Sequence, residues 1–297
     1  MTLGAAPHVP GRPDVPSAPD AWAIAGGTLS LERPVIMGIL NLTPDSFSDG
    51  GELLSVASAV ERAERMTDEG AALLDLGGES TRPGARAVSA EEEIGRVGPV
   101  VEALRDRVSV PLSVDTRKAS VARAALSAGA AIVNDVSALA FDPEMPEVVR
   151  EAGAGIVLMH IRGTPDDMVG RAVYDDLEGE VLGELRGAVR RALDAGISRD
   201  ALVVDPGIGF AKTARQSLRL LAHLQRLGEL GLPVLVGPSR KSFLQPILGV
   251  PPKERVVGSA VACVMAYLAG ASIFRVHDVA AARHALLVAE AITAERR

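Results

Sequence analysis

Eight short aliphatic runs recur along this chain, and each leads into a polar residue that can bind a ligand or take part in catalysis. Strands buried on both faces of a parallel sheet give continuous runs of this kind, because neither face meets water. The runs are Val35–Leu40, Leu73–Leu76, Leu112–Val114, Ile132–Val133, Ile156–Met159, Leu202–Val204, Val234–Val236 and Ile273–Val276. Segments with helical periodicity follow them, namely Val56–Glu69, Ala90–Arg107, Ala119–Ala128, Pro143–Glu151, Glu178–Ala195, Ala214–Leu227, Val257–Ala269 and Ala280–Ala294.

This alternation predicts an α/β protein with one domain, a (β/α)₈ TIM barrel over residues 21–297. Consecutive runs begin 20 to 46 residues apart, which leaves room for a crossover helix between each pair of strands. A doubly wound open sheet is the alternative, and it would carry a nucleotide-binding fingerprint after its first strand. The only near match begins at Gly207, after the sixth run, and has no third glycine. The sequence therefore favours the barrel.

The composition predicts an aliphatic core and a packed thiol, and it argues against nucleic acid as a partner. Hydrophobic residues make up 47% of the chain but aromatic residues only 3%, so we expect a core of Ala, Val, Leu and Ile. A net charge of −7 gives no attraction for a polyphosphate backbone, which argues against nucleic acid as a partner. Cys263 is the only cysteine, so no intrachain disulfide can form, and we expect a packed thiol.

The chain also carries no pattern of a membrane or exported protein. No apolar run is long enough to span a membrane and the N-terminus has no signal-peptide pattern, so we expect a cytoplasmic protein without a membrane partner. A proline stands at every third position from Pro7 to Pro19. This spacing suits an extended chain and predicts a disordered, proline-rich tail over residues 1–20.

In a TIM barrel the residues that follow the strands converge at one end, where the active site lies. Carboxylate and amide side chains there could hold a flat heterocycle through its N–H donors, and cationic or imidazole side chains could bind phosphate. The ligand is therefore expected to have a donor-rich flat end and an anionic end. The acceptors are Asp115, Asn134 and Asp205, the donors are Lys241, Arg275 and His277, and Ser239 is a further polar residue at a strand end.

Two polar loops follow the first two predicted strands. Thr43–Gly51 and Ser80–Gly84 are rich in hydroxyl, glycine and proline residues, which makes them unsuited to the core. Phe47 and Arg82 would be costly to leave without a partner. We therefore expect both loops to close over the substrate.

The sequence predicts one weakly held cofactor. No Cys/His cluster or calcium-loop pattern is present, so a permanently bound transition metal is not expected. Asn41 could supply a neutral oxygen to Mg²⁺, which usually takes one or two protein ligands and completes its shell with substrate phosphates and water.

Seven segments together resemble the dihydropteroate synthase family, over about residues 35 to 280. They are MGILNLTPDSFSDGG from Met37, DLGGESTRPGA from Asp75, SVDTRKASVARAALSAGAAIVNDVSAL from Ser113, MHIRGTP from Met159, VVDPGIGFAK from Val203, GPSRKSFL from Gly237 and RVHDV from Arg275. The resemblance implies a transferase of folate biosynthesis, usually a homodimer and a sulfonamide target. Such an enzyme condenses 6-hydroxymethyl-7,8-dihydropterin diphosphate with 4-aminobenzoate to give 7,8-dihydropteroate and pyrophosphate.

The resemblance also implies a role for each candidate residue. The carboxylates would stabilise the cation that forms when pyrophosphate departs, before the amine attacks. Arylamines react as neutral nucleophiles, so no strong general base is required, and Glu79 and His160 are expected to be structural. The pterin would lie over Met159 and Gly237, held by Asp115, Asn134, Asp205 and Lys241. The diphosphate would bind to Arg275 and His277, with Asn41 at Mg²⁺. The 4-aminobenzoate would be enclosed by Phe47, Thr81, Arg82, Pro83, Phe210, Lys241 and Ser242.

The chain departs from the family pattern near the sixth run. Ala211 stands where the family commonly has glycine, Gln216-Ser217 replaces a frequent His-Asn pair, and Ile161 replaces a usual methionine. These positions flank the loop after that run, so we expect altered packing near the amine substrate and retained activity.

Two alternatives to the synthase activity belong to other classes. A non-catalytic paralogue would bind a pterin or regulate a partner, but both polar loops are intact. A pterin-dependent methyltransferase on the same barrel would have no use for a diphosphate site, and Arg82, Arg275 and His277 argue against it.

Overall fold

The computed structural model describes residues 19–43, 55–81 and 87–295. The predicted proline-rich tail lies outside the described residues except for its last two positions. Phe47, Arg82 and Pro83, three predicted site residues, also lie outside them.

Strands and helices alternate along the described residues, after a short hairpin. The strands are β1 (Ala21–Ile24), β2 (Gly27–Ser30), β3 (Val35–Asn41), β4 (Leu73–Gly77), β5 (Leu112–Asp115), β6 (Ile132–Asp135), β7 (Gly155–Met159), β8 (Leu202–Asp205), β9 (Leu235–Val236) and β10 (Ile273–Val276). The helices are α1 (Val56–Asp68), α2 (Ala90–Arg105), α3 (Ala119–Ala128), α4 (Met145–Ala152), α5 (Leu177–Asp194), α6 (Ala214–Ala222), α7 (Gln245–Leu248), α8 (Val256–Leu268) and α9 (Val279–Ala294).

The eight predicted runs form one parallel sheet that closes into the predicted barrel. The strands pair in the order β8-β7-β6-β5-β4-β3-β10-β9. A parallel bridge between Val204 and Val234 joins the two ends of this order, and the Val204 N–H donates to the Pro233 carbonyl at 3.0 Å. The TIM-barrel prediction is confirmed. Within the described residues, no helix combines the length and apolar character needed to cross a membrane.

Seven of the eight predicted helices agree with the structure to within two residues at each end, and the eighth is wrong at its C-terminal end. Helix α6 ends at Ala222, and a 3₁₀ helix follows over Leu224–Leu230. Its buried residues Leu224, Leu227 and Leu230 are three apart, which matches the three residues per turn of a 3₁₀ helix. The predicted α-helix over Ala214–Leu227 is therefore too long, because the leucines that follow Ala222 repeat with the period of a 3₁₀ helix.

Apolar side chains fill the N-terminal half of the barrel interior. They include Val35, Met37, Leu73, Ile132, Val157, Val203, Leu235 and Ile273. The hairpin of β1 and β2, which was not predicted, adds the fully buried Trp22 to this cluster. The Trp22 indole N–H donates to the Ala201 carbonyl at 2.8 Å, just before β8. Because the described side chains fill this end of the barrel, we expect a ligand to bind at the opposite end.

Candidate active site

The inward positions nearer the C-terminal ends of the strands carry a connected layer of polar side chains. Arg275 in β10 lies between two carboxylates, with Nε 2.6 Å from Asp75 Oδ2 and Nη2 2.6 Å from Asp115 Oδ2. Asp75 in β4 is fully buried and also accepts hydrogen bonds from Ser113 Oγ at 2.6 Å and Asn134 Nδ2 at 3.0 Å. Arg275 thus joins β10 to β4 and β5, and Asp75 extends the network to β6 through Asn134.

These bonds fix which atoms a ligand can meet. The Asn134 amide nitrogen is used by Asp75, so its Oδ1 is left as an acceptor. Arg275 uses Asp115 Oδ2, and no donor among the described residues bonds to Asp115 Oδ1. Two acceptor oxygens on neighbouring strands therefore remain for a ligand with N–H donors.

A second pair of charges lies across the mouth. Asp205 at the end of β8 is buried, and its Oδ1 accepts the Gly207 N–H at 2.7 Å. The Lys241 ammonium donates to the Ile208 carbonyl and lies 4.4 Å from the centre of the Phe210 ring. The structure thus brings Asp205, Lys241 and Phe210 together around one segment, which we call the β8 loop (residues 206–213).

Two positions without side chains leave space between the charged groups. A Cβ on Gly237 would lie 3.9 Å from Lys241 Nζ and 3.7 Å from Arg275 Cβ. A Cβ on Gly77 would lie 3.7 Å from Asp115 Oδ2 and 3.9 Å from the Asn41 Oδ1. Glycine at both positions keeps this space open for a ligand.

Burial shifts the charged groups towards their neutral forms. It raises the pKa of Asp115 to about 7, with the Arg275 charge opposing the shift and the Asp75 charge adding to it. Burial also raises the pKa of Asp205 and lowers that of Lys241 to about 8. Burial disfavours the Arg275 charge, but the carboxylates of Asp75 and Asp115 outweigh it and raise the pKa of Arg275. A ligand that supplies donors or positive charge would favour the ionised carboxylates, so its binding is coupled to proton release.

The remaining predicted residues border this layer. Ser239 Oγ accepts the His277 backbone N–H at 3.2 Å and lies 3.1 Å from His277 Nδ1, which orients the imidazole. Met159 is buried and stands beside Asp205 in the strand register. Thr81 and Asp115 line the same small cleft at the mouth. Ser242 follows Lys241 in the chain, and its side chain is exposed rather than enclosed.

The donor set at Asn41 fits a weakly held hard cation. Asn41 ends β3 half-buried, and its neutral amide oxygen faces Asp115 across the Gly77 position. No group of three or more His, Cys, Asp or Glu residues suited to a metal occurs among the residues that the structure describes. The single amide oxygen suits Mg²⁺, which takes most of its ligands from water and phosphate.

Asp75 is the main site residue that the sequence analysis missed. It lies inside the aliphatic run Leu73–Leu76 and was counted as part of a strand. The available signal was its position two residues after the inward-facing Leu73, which places a carboxylate inside the barrel. Glu79 binds Lys118 Nζ at 2.9 Å and the Val88 N–H at 3.1 Å, which agrees with the structural role expected for it.

Two of the departures from the family pattern, Ala211 and the pair Gln216-Ser217, lie in or beside the β8 loop. Ala211 has φ +47°, in the left-handed region, which explains why glycine is common there. Gln216 forms a capping box with Thr213 and donates to the Ala172 carbonyl at 3.2 Å. Ser217 Oγ accepts the Gly209 N–H at 3.2 Å. The replacement residues therefore make their own contacts to the loop.

Comparison with known proteins agrees with this geometry. The profile of a family described as pterin binding enzyme matches residues 37–277. Dihydropteroate synthase of Synechocystis sp. is 49% identical over 262 residues, which cover 88% of this chain and 91% of that protein. The Yersinia pestis dihydropteroate synthase with a sulfonamide drug has a TM-score of 0.88 at 46% identity, covering 92% of this chain and 98% of that chain. The Xanthomonas albilineans dihydropteroate synthase with 4-aminobenzoic acid has a TM-score of 0.86 at 48% identity and the same coverage. The chain belongs to the pterin-binding enzyme family and, within it, to the dihydropteroate synthases, which are transferases of folate biosynthesis.

Proposed function

We propose that this chain condenses 6-hydroxymethyl-7,8-dihydropterin diphosphate with 4-aminobenzoate to give 7,8-dihydropteroate and pyrophosphate. The observation that carries the proposal is the polar layer at the barrel mouth, where acceptors and cationic groups lie side by side. The acceptors are Asp115, Asn134 and Asp205, and the cationic groups are Lys241 and Arg275.

The acceptors suit the N–H-rich edge of a pterin. Asn134 Oδ1 and Asp115 Oδ1 lie on adjacent paired strands, and the charges of Lys241 and Arg275 act on Asp205 at the end of β8. A flat ring bound between them would rest on Met159 and fill the space beside Gly237. Ionised carboxylates would accept its donors in pairs.

The diphosphate would lie beside His277 and Arg275. Arg275 uses Nε and Nη2 for the carboxylates, and within the described residues its Nη1 makes no hydrogen bond, so this nitrogen is available to an anion. Ser239 holds the His277 ring at the same strand end. Asn41 would hold Mg²⁺, which when bound neutralises diphosphate charge and favours its departure.

The charges of the layer suit departure of the leaving group before attack. The C–O bond breaks, its electron pair leaves with pyrophosphate, and the positive charge left on the pterin methylene is stabilised by the carboxylates of Asp115 and Asp205. The amine nitrogen lone pair then forms the C–N bond, and the nitrogen releases a proton to solvent. Thr81, Phe210 and Lys241 would lie around the amine, with the exposed Ser242 at the edge of its pocket. Phe47, Arg82 and Pro83 stay predicted for the same pocket and lie outside the described residues.

We also propose a homodimer, supported by an exposed apolar face on α8. Val257, Val261 and Met265 are spaced four residues apart and are 74%, 57% and 55% exposed. Helix α8 has no charged residue over its length, and α9 packs beside it with exposed Val288 and Ile292. A second copy could cover this face through the same patch. Light scattering should give a dimer mass for the wild type and a monomer mass for Val261→Glu; a monomeric wild type would refute the proposal.

A cytoplasmic location is proposed for the same protein. Its single cysteine, Cys263, is buried and forms no disulfide, which suits a reducing compartment. Cell fractionation with an antibody would test it, and recovery outside the cytoplasm would contradict it.

The activity is tested by incubating the protein with the pterin diphosphate, Mg²⁺ and labelled 4-aminobenzoate. We expect labelled dihydropteroate, strongly weakened pterin binding in Asp205→Asn, and retained pterin binding with lost amine turnover in Arg82→Ala. Pterin binding without product in the wild type would refute the proposal in favour of a non-catalytic pterin-binding paralogue. Normal turnover in both variants would show that the residue roles are wrong.

A further inference from the structure

A buried lysine in the β8 loop has no part in the reaction as proposed. Lys212 is only 8% exposed, its Nζ lies 2.8 Å from His160 Nδ1, and it donates to the Phe210 carbonyl at 2.9 Å. It forms no ion pair with a carboxylate within the part of the chain that the structure describes. Burial lowers the pKa of Lys212 to about 7, partly offset by the charge of Asp205. Because burying a lysine ammonium costs free energy, its presence at this position points to a function for Lys212.

The contacts of Lys212 continue through His160 to the surface. His160 is buried at the end of β7, and its Nε2 lies 3.0 Å from Glu184 Oε2 in α5. Because the lysine donates to Nδ1, the neutral ring donates from Nε2 to the carboxylate. Burial lowers the pKa of His160, which keeps the ring in this neutral form. The direction of each hydrogen bond in the chain Lys212–His160–Glu184 is therefore fixed.

Further contacts return from α5 to the β8 loop. Arg162 bonds to Glu184 through Nε at 3.0 Å, and its guanidinium lies 4.0 Å from the centre of the Tyr174 ring. The Tyr174 hydroxyl donates to the Ala211 carbonyl at 3.0 Å, next to Lys212. The contacts form a closed circuit, so the backbone around Phe210 is held from both sides.

The position of Asp205, unlike that of Phe210, is not held by the side-chain contacts of this circuit. Its carbonyl accepts the His160 backbone N–H at 2.8 Å, and its carboxylate accepts the Gly207 N–H. Both bonds come from backbone donors and neither involves the Lys212 side chain, which acts on Asp205 only through its charge, opposing the rise that burial causes in the pKa of that carboxyl. Loss of the lysine donor should therefore move Phe210 and leave the Asp205 carboxylate in place.

We propose that Lys212 is a positioning residue that sets the affinity for the amine substrate through Phe210. The inference rests on the proposed function, which places the Phe210 ring against 4-aminobenzoate. Lys212 holds the Phe210 carbonyl, which orients the ring under Lys241, and His160 holds Lys212 through Nδ1.

The first test is Lys212→Met, which keeps the length of the side chain and removes its donor. We expect the KM for 4-aminobenzoate to rise about tenfold, the effect of losing one or two hydrogen bonds. The kcat and the Kd for 6-hydroxymethylpterin should both stay within about threefold, which a general loss of structure would not allow. A fall in kcat at unchanged KM, or equal weakening of both substrates, would overturn the proposal.

A matched pair at His160 keeps the test decisive if Lys212→Met does not fold. The amide oxygen of His160→Asn lies near the Nδ1 position and can still accept from Lys212, whereas the amide of His160→Gln reaches the Nε2 position and Glu184. We expect the KM for 4-aminobenzoate to rise at least about threefold more in the glutamine variant than in the asparagine variant. The reverse order would overturn the role of the Lys212 contact.

Calorimetry separates failure of this inference from failure of the proposed function. 4-Aminobenzoate is titrated into protein saturated with 6-hydroxymethylpterin, which lacks the diphosphate leaving group and therefore does not react. A tenfold weaker Kd in Lys212→Met supports the inference even in a protein without turnover, and an unchanged Kd refutes it. Absence of product from the wild type would refute the proposed synthase activity alone.

Discussion

Replacement of Gly207 by alanine tests the close approach of the β8 loop to the end of β7. Gly207 has φ +67°, and a Cβ built there would lie 1.9 Å from the His160 carbonyl oxygen. Cβ atoms essentially never approach within 3.0 Å of a non-bonded heavy atom, so the two backbones must move apart by at least 1.1 Å, the difference between these distances. The Gly207 N–H holds the Asp205 carboxylate, so the displacement reaches the proposed pterin site.

The size of this displacement gives the expected loss of activity. A misplacement of about 1 Å at a reacting site costs on the order of 10²-fold in rate. We therefore expect kcat/KM for the pterin diphosphate to fall by about 100-fold in Gly207→Ala. The left-handed backbone of an alanine adds about 1–2 kcal/mol of instability to the cost of the steric contact.

Gly153→Ala is the matched control. Gly153 has φ +58°, and nothing lies within 4 Å of the place its Cβ would take. Gly153→Ala should be destabilised only by its left-handed backbone, which lowers the Tm by a few degrees, and it should keep the wild-type kcat/KM. Steady-state kinetics and thermal unfolding of both variants decide the matter. If Gly207→Ala loses no more Tm and no more activity than Gly153→Ala, the reasoning from the close contact is refuted.

Three further predictions concern single residues. Asp75→Asn keeps the shape of the side chain and leaves Asp115 as the one carboxylate that, among the described residues, bonds to Arg275. Calorimetry should show about tenfold weaker pterin binding in a folded protein, and unchanged binding would contradict the role of Asp75. Ala211→Gly removes an alanine with a left-handed backbone and should raise the free energy of unfolding, measured by urea titration, by about 0.5–1 kcal/mol. A free energy of unfolding below that of the wild type would show that the alanine is not strained. Burial raises the pKa of Cys263 to about 12, so the thiol should not react with a disulfide reagent at pH 8 until the protein is denatured; rapid reaction of the native protein would disprove this burial.

Much of the barrel could be predicted because its strands are buried on both faces. The aliphatic runs report this burial directly, and even the two-residue strand β9 lies within a predicted run. The hairpin escaped because Trp22 is the only buried residue of β1 and β2, so these strands do not give the continuous aliphatic run of a strand buried on both faces. Helix α6 was predicted too long because a 3₁₀ segment also carries regularly spaced leucines.

The site was predicted where a residue's chemistry follows from its place at a strand end. Asp115, Asn134 and Asp205 are of this kind. Asp75 and Lys212 are not, because their roles depend on partners that are distant in the sequence. Asp75 meets Arg275 across 200 positions, and Lys212 meets His160 across 52. Only the closed barrel brings such pairs together.

The hairpin at the N-terminal end of the barrel also provides an optical probe. Trp22 is the only tryptophan in the chain, fully buried at the end opposite the proposed active site and bonded to the Ala201 carbonyl. Its emission should therefore be blue-shifted in the folded protein and shift to the red when the hairpin leaves the barrel. Selective excitation of this single tryptophan thus reports the integrity of the scaffold without labelling, so any of the variants above can be checked for folding independently of its activity.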